Sequence, residues 1–206
     1  MNFYNITFTR WLALLFLASL LYSCQPDTYY SELEIYQQEQ NAFFSDTNTS
    51  PLTKEGLAHF DRLEFFPADK KYCVTADFSL TPDASSFLMP TTTERVVEYK
   101  KYGTASFELD GKKYTLSIYQ NQEIKDKEEY EDYLFLPYKD WTNGHESYGG
   151  GRYINLTIPD GNKIVIDFNK SYNPYCAYND RYSCPIPPDE NHLDTEIRAG
   201  VRAYDH

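Results

Sequence analysis

The chain has 206 residues, 41% apolar and 24% charged, which is enough for the packed core of one domain and too apolar for a disordered chain. Its formal net charge of -12 excludes nucleic acid and anionic membrane surfaces as partners held by bulk electrostatics. A local basic site, at Arg152 for instance, is compatible with that balance. The 20 tyrosines either form a stacking surface for sugars or bases or, more commonly, fill half-buried strand positions.

Arg10 precedes an apolar run, Trp11 to Tyr22, and no acidic residue occurs before Asp27. The run is too short to span a bilayer comfortably and has the length of a signal-peptide core. It ends in Leu21-Tyr22-Ser23-Cys24, which resembles a bacterial lipobox, with Tyr22 where a small residue is commoner. The resemblance implies a signal peptide at 1–23 and a lipid-bearing Cys24. The chain is then an envelope protein, extracytoplasmic and tethered by acyl chains without crossing the membrane. Three cysteines follow, Cys73, Cys176 and Cys184. Disulfides are permitted outside the cytoplasm, and Cys176 and Cys184 are the expected pair, with Cys73 left free. Their spacing to His192 matches no zinc pattern, so neither a metal nor another cofactor is expected.

Residues 24–50 read as an N-terminal helix and a linker, and 51–206 as the main domain. Ser31 and Glu34 have the spacing of a capping box, and Leu33, Tyr36, Phe43 and Phe44 follow at helical intervals. This predicts a helix over 31–44. Thr53 is placed to cap a short helix at 54–59. Strict alternation marks a strand over 72–80, with Cys73 on its polar side, and further strands are expected near 87–90 and 95–99. Two alternating runs, 105–109 and 114–118, flank Asp110-Gly111, a type I′ hairpin signal. Residues 121–132 are charged and loop-like, and 133–137 form another strand.

The next two runs are read as a hairpin. With Asp160-Gly161-Asn162 as the loop, Ile158 faces Ile164, Leu156 faces Ile166 and Ile154 faces Phe168 on one apolar side. The opposite side then gathers Tyr153, Asn155, Asp167 and Asn169. The chain turns irregular up to Pro188. A last short helix is expected after Asp189 and Glu190, burying Leu193 and Ile197 and stopping at Gly200. About eight short strands with helices only at the ends indicate a mainly β fold, an antiparallel sandwich or a barrel-like sheet.

Several ordered motifs stand out: Leu134-Phe-Leu-Pro137, Asp140-x-Thr142-x-Gly144-x-Glu146, Tyr148-Gly-Gly-Gly-Arg-Tyr153, Asp167-Phe-Asn169, Tyr172-Asn-Pro174, Cys176-Ala-Tyr178 and Cys184-Pro-x-Pro-Pro with Glu190-Asn191. Over roughly residues 50–202 they resemble a bacterial family known as domain of unknown function 1684, with Ser147 where many members have Thr. That resemblance implies kinship and no activity.

Chemistry must therefore be read from the residues. Gly149-Gly150-Gly151 either presents backbone N–H groups, Gly150 among them, to an anion or makes a tight turn. Arg152 grips an anionic ligand or pairs with Glu146 or Asp167. The carboxylates Glu146 and Asp167 are the catalytic candidates for a hydrolase. Tyr148, Gly150, Arg152, Tyr153, Asn169 and Asn173 are the ligand-binding candidates. The leading reading is binding of a small polar or anionic ligand, sugars included, in a polar pocket beneath Tyr172–Pro188. A hydrolase and a structural or interaction protein of the envelope are the alternatives. Arg152 is expected at the pocket rim, within hydrogen-bond reach of Glu146 or Asp167.

Overall fold

Alternation of apolar and polar residues builds the body as one antiparallel sheet of seven strands. The structure, a computed structural model, describes residues 28–204. The expected signal peptide and Cys24 lie outside the described residues. The strands are β1 (Cys73–Leu80), β2 (Ser86–Pro90), β3 (Val96–Leu109), β4 (Lys112–Asn121), β5 (Tyr133–Tyr138), β6 (Arg152–Thr157) and β7 (Lys163–Asp167). Their order is β6-β5-β4-β3-β1-β7, with β2 joined to β3 off that path. The sheet curls into a half-barrel. Its inner face carries Val74, Ala76, Phe78, Phe107, Leu116, Ile118, Leu134, Leu136, Ile154 and Ile166 in one core.

The β3–β4 hairpin forms as its turn signal requires. Leu109 pairs with Lys112, and Asp110 and Gly111 adopt φ of 50° and 77°. The strands expected at 95–99 and 105–109 are one long strand, β3, with a register shift between Lys101 and Gly103. Gly103 is required there, because a Cβ would lie 2.6 Å from the Phe78 ring and 2.7 Å from the Ser79 carbonyl oxygen.

The second expected hairpin does not exist. β6 pairs with β5, from Tyr133↔Thr157 to Tyr138↔Arg152, and β7 pairs with β1, from Cys73↔Asp167 to Asp77↔Lys163. The two strands lie at opposite edges of the curled sheet. The expected apolar face is present all the same, since Ile154, Leu156, Ile164 and Ile166 share the core. Alternation fixes which side of a strand faces inward; it does not choose the neighbouring strand.

Helix α1 (Thr28–Ser45) packs Leu33 and Phe44 against the body. Ser31 lies inside this helix, so the capping box is not used. Helix α2 (Lys54–His59) is capped by Thr53, whose side chain accepts from the Gly56 N–H. At the C-terminus the expected helix is a single 3-10 turn, Asp189–Asn191, followed by irregular chain. Leu193 and Ile197 are buried as expected. The backbone groups of Ile197 and Ala199 bond to Asp140 and Arg152 instead of to one another, which leaves no helical ladder to form.

A cavity beside a buried ion pair

Arg152 opens β6 and alternates with Ile154 onto the inner face, so its side chain enters the core and is 0% exposed. A buried guanidinium must find a counter-charge and acceptors. Its Nη2 meets Asp140 Oδ2 at 2.7 Å and donates to the Ile197 carbonyl at 2.7 Å, and its Nη1 donates to the Ala199 carbonyl. The other carboxylate oxygen of Asp140 accepts from the N–H groups of Thr142 at 2.8 Å and Ile197 at 3.1 Å. The guanidinium also lies 5.4 Å from the Tyr138 ring centroid. Arg152 is therefore a core residue, neither at a pocket rim nor bonded to Glu146 or Asp167. The partner that sequence reasoning missed, Asp140, was in plain view in the Asp140-x-Thr142 motif.

The preceding glycines make the turn into β6. Gly151 has φ of 94°, and a Cβ on Gly150 would stand 2.4 Å from the Tyr148 ring. Gly150 is thus packed against Tyr148, which accounts for it without a ligand. The two candidate catalytic carboxylates have separate partners. Glu146 pairs with the half-exposed Arg198 at 2.8 Å. Asp167 caps the turn Phe168–Lys170 through the Asn169 N–H and accepts from the Tyr29 hydroxyl at 2.9 Å. Asn169 ties that turn to Asp69, accepting from its N–H at 3.1 Å and donating to its carbonyl at 2.9 Å. Neither carboxylate bonds to the other, and each is engaged by a group of its own.

The outer face of the same sheet is where the cavity forms. Tyr99, Tyr119, Phe135 and Tyr153 alternate outward and cluster with Met89 and Val97. The strap Tyr172–Pro188 covers them. It begins by pairing with the edge of β6, where the Tyr153 N–H donates to the Tyr172 carbonyl at 2.9 Å and the reverse bond is 3.0 Å. It ends on β2, where the Ile186 N–H donates to the Pro90 carbonyl at 2.9 Å. Between strap, sheet and α1 lies a cavity of about 510 Å³, lined by Tyr36, Phe43, Tyr99, Phe135, Tyr153, Asn155, Tyr172, Asn173, Tyr175 and Cys184 among others. The expected pocket beneath the strap is present, and Tyr153 and Asn173 line it. Its walls are aromatic rather than polar.

No side chain lining this cavity is charged among the described residues. Burial pushes the Tyr99 phenol up to about 12 and holds those of Tyr153 and Tyr172 well above their ordinary value, so these phenols stay neutral. Their hydroxyls are engaged: Tyr153 donates to the Pro185 carbonyl, and Tyr172 and Tyr133 donate to Asn155 Oδ1 at 2.6 and 3.0 Å. Asn173 differs. Its Nδ2 donates to the Arg202 carbonyl at 2.8 Å and reaches the Tyr178 hydroxyl at 3.3 Å, which settles the amide orientation. Its Oδ1 is buried without a hydrogen-bond partner.

Tyr148 lies outside the lining and sets its hydroxyl 3.7 Å from Cys176 Sγ. Cys176 and Cys184 do lie together, yet both are free thiols, with the Cys176 N–H donating to Cys184 Sγ at 3.1 Å. Cys73 is also free. Among the described residues no helix is long and apolar enough to cross a membrane, and no group of three or more His, Cys, Asp or Glu is placed to hold a metal ion.

Residues 58–202 match the family described as a protein of unknown function, DUF1684, and the chain belongs to that family. A solution NMR structure of an uncharacterized protein of Haloarcula marismortui is similar, with a TM-score of 0.67 and 36% identity, covering 85% of this chain and 95% of that one. No curated protein matches.

Proposed function

We propose that the protein is a lipid-anchored envelope protein that binds a small neutral, hydroxyl-bearing ring compound of the sugar class in the aromatic cavity. The carrying observation is Asn173, 1% exposed, with a buried acceptor left empty in a residue that lines the cavity. Leaving such an acceptor bare costs about 1–3 kcal/mol, and because the atom is closed to water in the free protein, a ligand hydroxyl recovers that cost as the strap shifts to admit it. The second polar contact is Asn155, whose oxygen takes two tyrosine hydroxyls, so its amide nitrogen is the end available to a ligand acceptor. Flat tyrosine faces beside a few amides suit the apolar face and polar edge of a sugar ring. An anionic ligand loses its support, because Arg152 points into the core and no cationic side chain among the described residues lines the cavity. Anchorage rests on the sequence before the described region, the apolar run ending at Ser23-Cys24. A lipid on Cys24 would hold α1, one wall of the cavity, close to the membrane surface.

Titration of the protein with neutral mono- and disaccharides, followed by tyrosine fluorescence and calorimetry, tests the reading. Saturable binding is expected, about tenfold weaker in Asn173→Leu for one lost hydrogen bond. Unchanged affinity in Asn173→Leu, or preference for the corresponding uronic acids, would refute it.

A further inference from the structure

The strap that roofs the cavity carries two thiols eight residues apart. Cys184 is buried and fixed at the end of β2. Its N–H donates to Thr92 Oγ1 at 3.1 Å, and its carbonyl accepts from the Thr92 N–H at 2.9 Å. Cys176 is half-buried in the single 3-10 turn Tyr175–Ala177. The backbone bonds of that stretch are local, Ala177 to Pro174, Tyr178 to Tyr175 and Tyr182 to Asn179. One thiol is therefore held by the sheet, and the other rides on a turn with no backbone tie to it.

The sulfurs are surrounded by donors. The Cys176 N–H points at Cys184 Sγ at 3.1 Å and the Tyr148 hydroxyl lies 3.7 Å from Cys176 Sγ, with the Cys184 thiol and the Thr92 hydroxyl close enough to bear on it. Donors on a sulfur favour its thiolate, the nucleophilic form. The Cys184 thiol, with Tyr148 and Thr92, draws Cys176 down to about 6 against the effect of burial. The same hydrogen bond, with burial, pushes Cys184 up. Cys73 is a different kind of thiol, raised by burial and by Asp167.

We propose that Cys176 and Cys184 are an exchange-active thiol pair that makes and breaks a bridge across the cavity roof, Cys176 attacking and Cys184 resolving. The co-reactant is a disulfide, R–S–S–R. The Cys176 thiolate attacks one of its sulfurs, forming the mixed disulfide and expelling RS⁻. Cys184 loses its proton and attacks Cys176 Sγ, expelling a second RS⁻. Two protein thiols are oxidised to one disulfide, and the co-reactant is reduced by two electrons to two thiols. Bridging ties the turn bearing Cys176 to the sheet through Thr92, so the roof is fixed over the cavity when oxidised and released when reduced. This does not depend on what the cavity binds.

The test uses the full chain in a Cys73→Ser background, oxidised glutathione as co-reactant, and peptide mapping to locate each product. The parent should form the Cys176–Cys184 bridge and retain no glutathione on the strap. Cys184→Ser should accumulate glutathione on Cys176, and Cys176→Ser should react at Cys184 at least tenfold more slowly. Tyr148→Phe should slow attack by Cys176 several-fold with circular dichroism unchanged. If a serine variant fails to fold, the alanine variant at the same position takes its place. Equal rates for the two single variants would overturn the assignment. So would a bridge that reduced glutathione opens only when the fold is melted, or thiols that never join.

Discussion

Replacing Arg152 by Met removes a charge from a site with no access to water. The Asp140 carboxylate, also 0% exposed in its side chain, is left without its counter-ion. The Ile197 and Ala199 carbonyls lose the donors that satisfy them. Breaking a buried pair from one side costs about 3–5 kcal/mol, and two bare carbonyls place this case at the upper end, about 5 kcal/mol. For a domain of this size each kcal/mol lowers Tm by about 2–4 °C, so a fall of about 10–20 °C is expected. Asp140→Asn keeps the oxygen that accepts from Thr142 and Ile197 but sets an amide nitrogen where Arg152 Nη2 needs an acceptor and leaves the guanidinium unpaired, so about 3–5 kcal/mol is expected. The double variant Arg152→Met/Asp140→Leu should lose less than the two single variants summed, because no unpaired charge remains. Urea unfolding with a constant m-value, supported by thermal melts, measures all of these. An Arg152→Met protein within about 1 kcal/mol of the parent would refute the reasoning and return Arg152 to the list of residues that meet a ligand.

Gly103→Ala should cost about 1–3 kcal/mol in the same unfolding assay, because the new Cβ meets the Phe78 ring and the Ser79 carbonyl at the β3 bulge; a neutral result would show that the bulge can relax. Glu146→Gln should change stability by less than about 0.5 kcal/mol, since its partner Arg198 is half exposed; a larger loss would mean that this pair is part of the frame. Alkylation of Cys176 by iodoacetamide should rise with pH through about 6, since only the thiolate reacts and the Cys184, Tyr148 and Thr92 groups stabilise it. A midpoint near the ordinary cysteine value of about 8.5 would remove the basis for calling Cys176 the attacking sulfur.

What alternation can say, the chain says clearly. Val74, Ala76 and Phe78, then Ala105, Phe107 and Leu109, point inward as their spacing requires, and Asp110-Gly111 turns where its backbone freedom allows. Alternation is silent about partners across the sheet. β6 and β7 each present the expected inner face, and their adjacency in sequence suggests a hairpin that the strand order does not contain. The error carried into the site, since a polar face built from Asn155, Asp167 and Asn169 presupposed that pairing. A signal for the true site was present in β5. Leu134-Phe135-Leu136-Pro137-Tyr138 is buried on both faces, and a continuous apolar run means that something covers the outer side of the sheet. The partner of Arg152 was less accessible to sequence reasoning. Glu146 and Asp140 stand equally well in the motif, and only the curl of the chain after β5 decides which carboxylate enters the core.

The two faces of β6 connect the ion pair to the cavity. Arg152 points inward and Tyr153 outward, and the Tyr153 backbone pairs with Tyr172, where the strap begins. The guanidinium also holds the carbonyls of Ile197 and Ala199, which fixes the path of the C-terminal segment. That segment continues through Gly200, with φ of 76° and no room for a Cβ against Ser171, to Val201, whose N–H donates to the Ser171 carbonyl at 3.0 Å. The next carbonyl, that of Arg202, takes the Asn173 amide N–H. Arg152 therefore helps, together with the bonds from the Phe66 N–H to the Gly200 carbonyl and from the Arg202 N–H to the Glu64 carbonyl, to place the carbonyl that orients the Asn173 amide. Were Arg202 displaced, the amide could turn over and present nitrogen where oxygen now stands, and the cavity would favour an acceptor in place of a donor. An arginine without contact to the cavity thus contributes to the polarity of an unpartnered buried group in its wall.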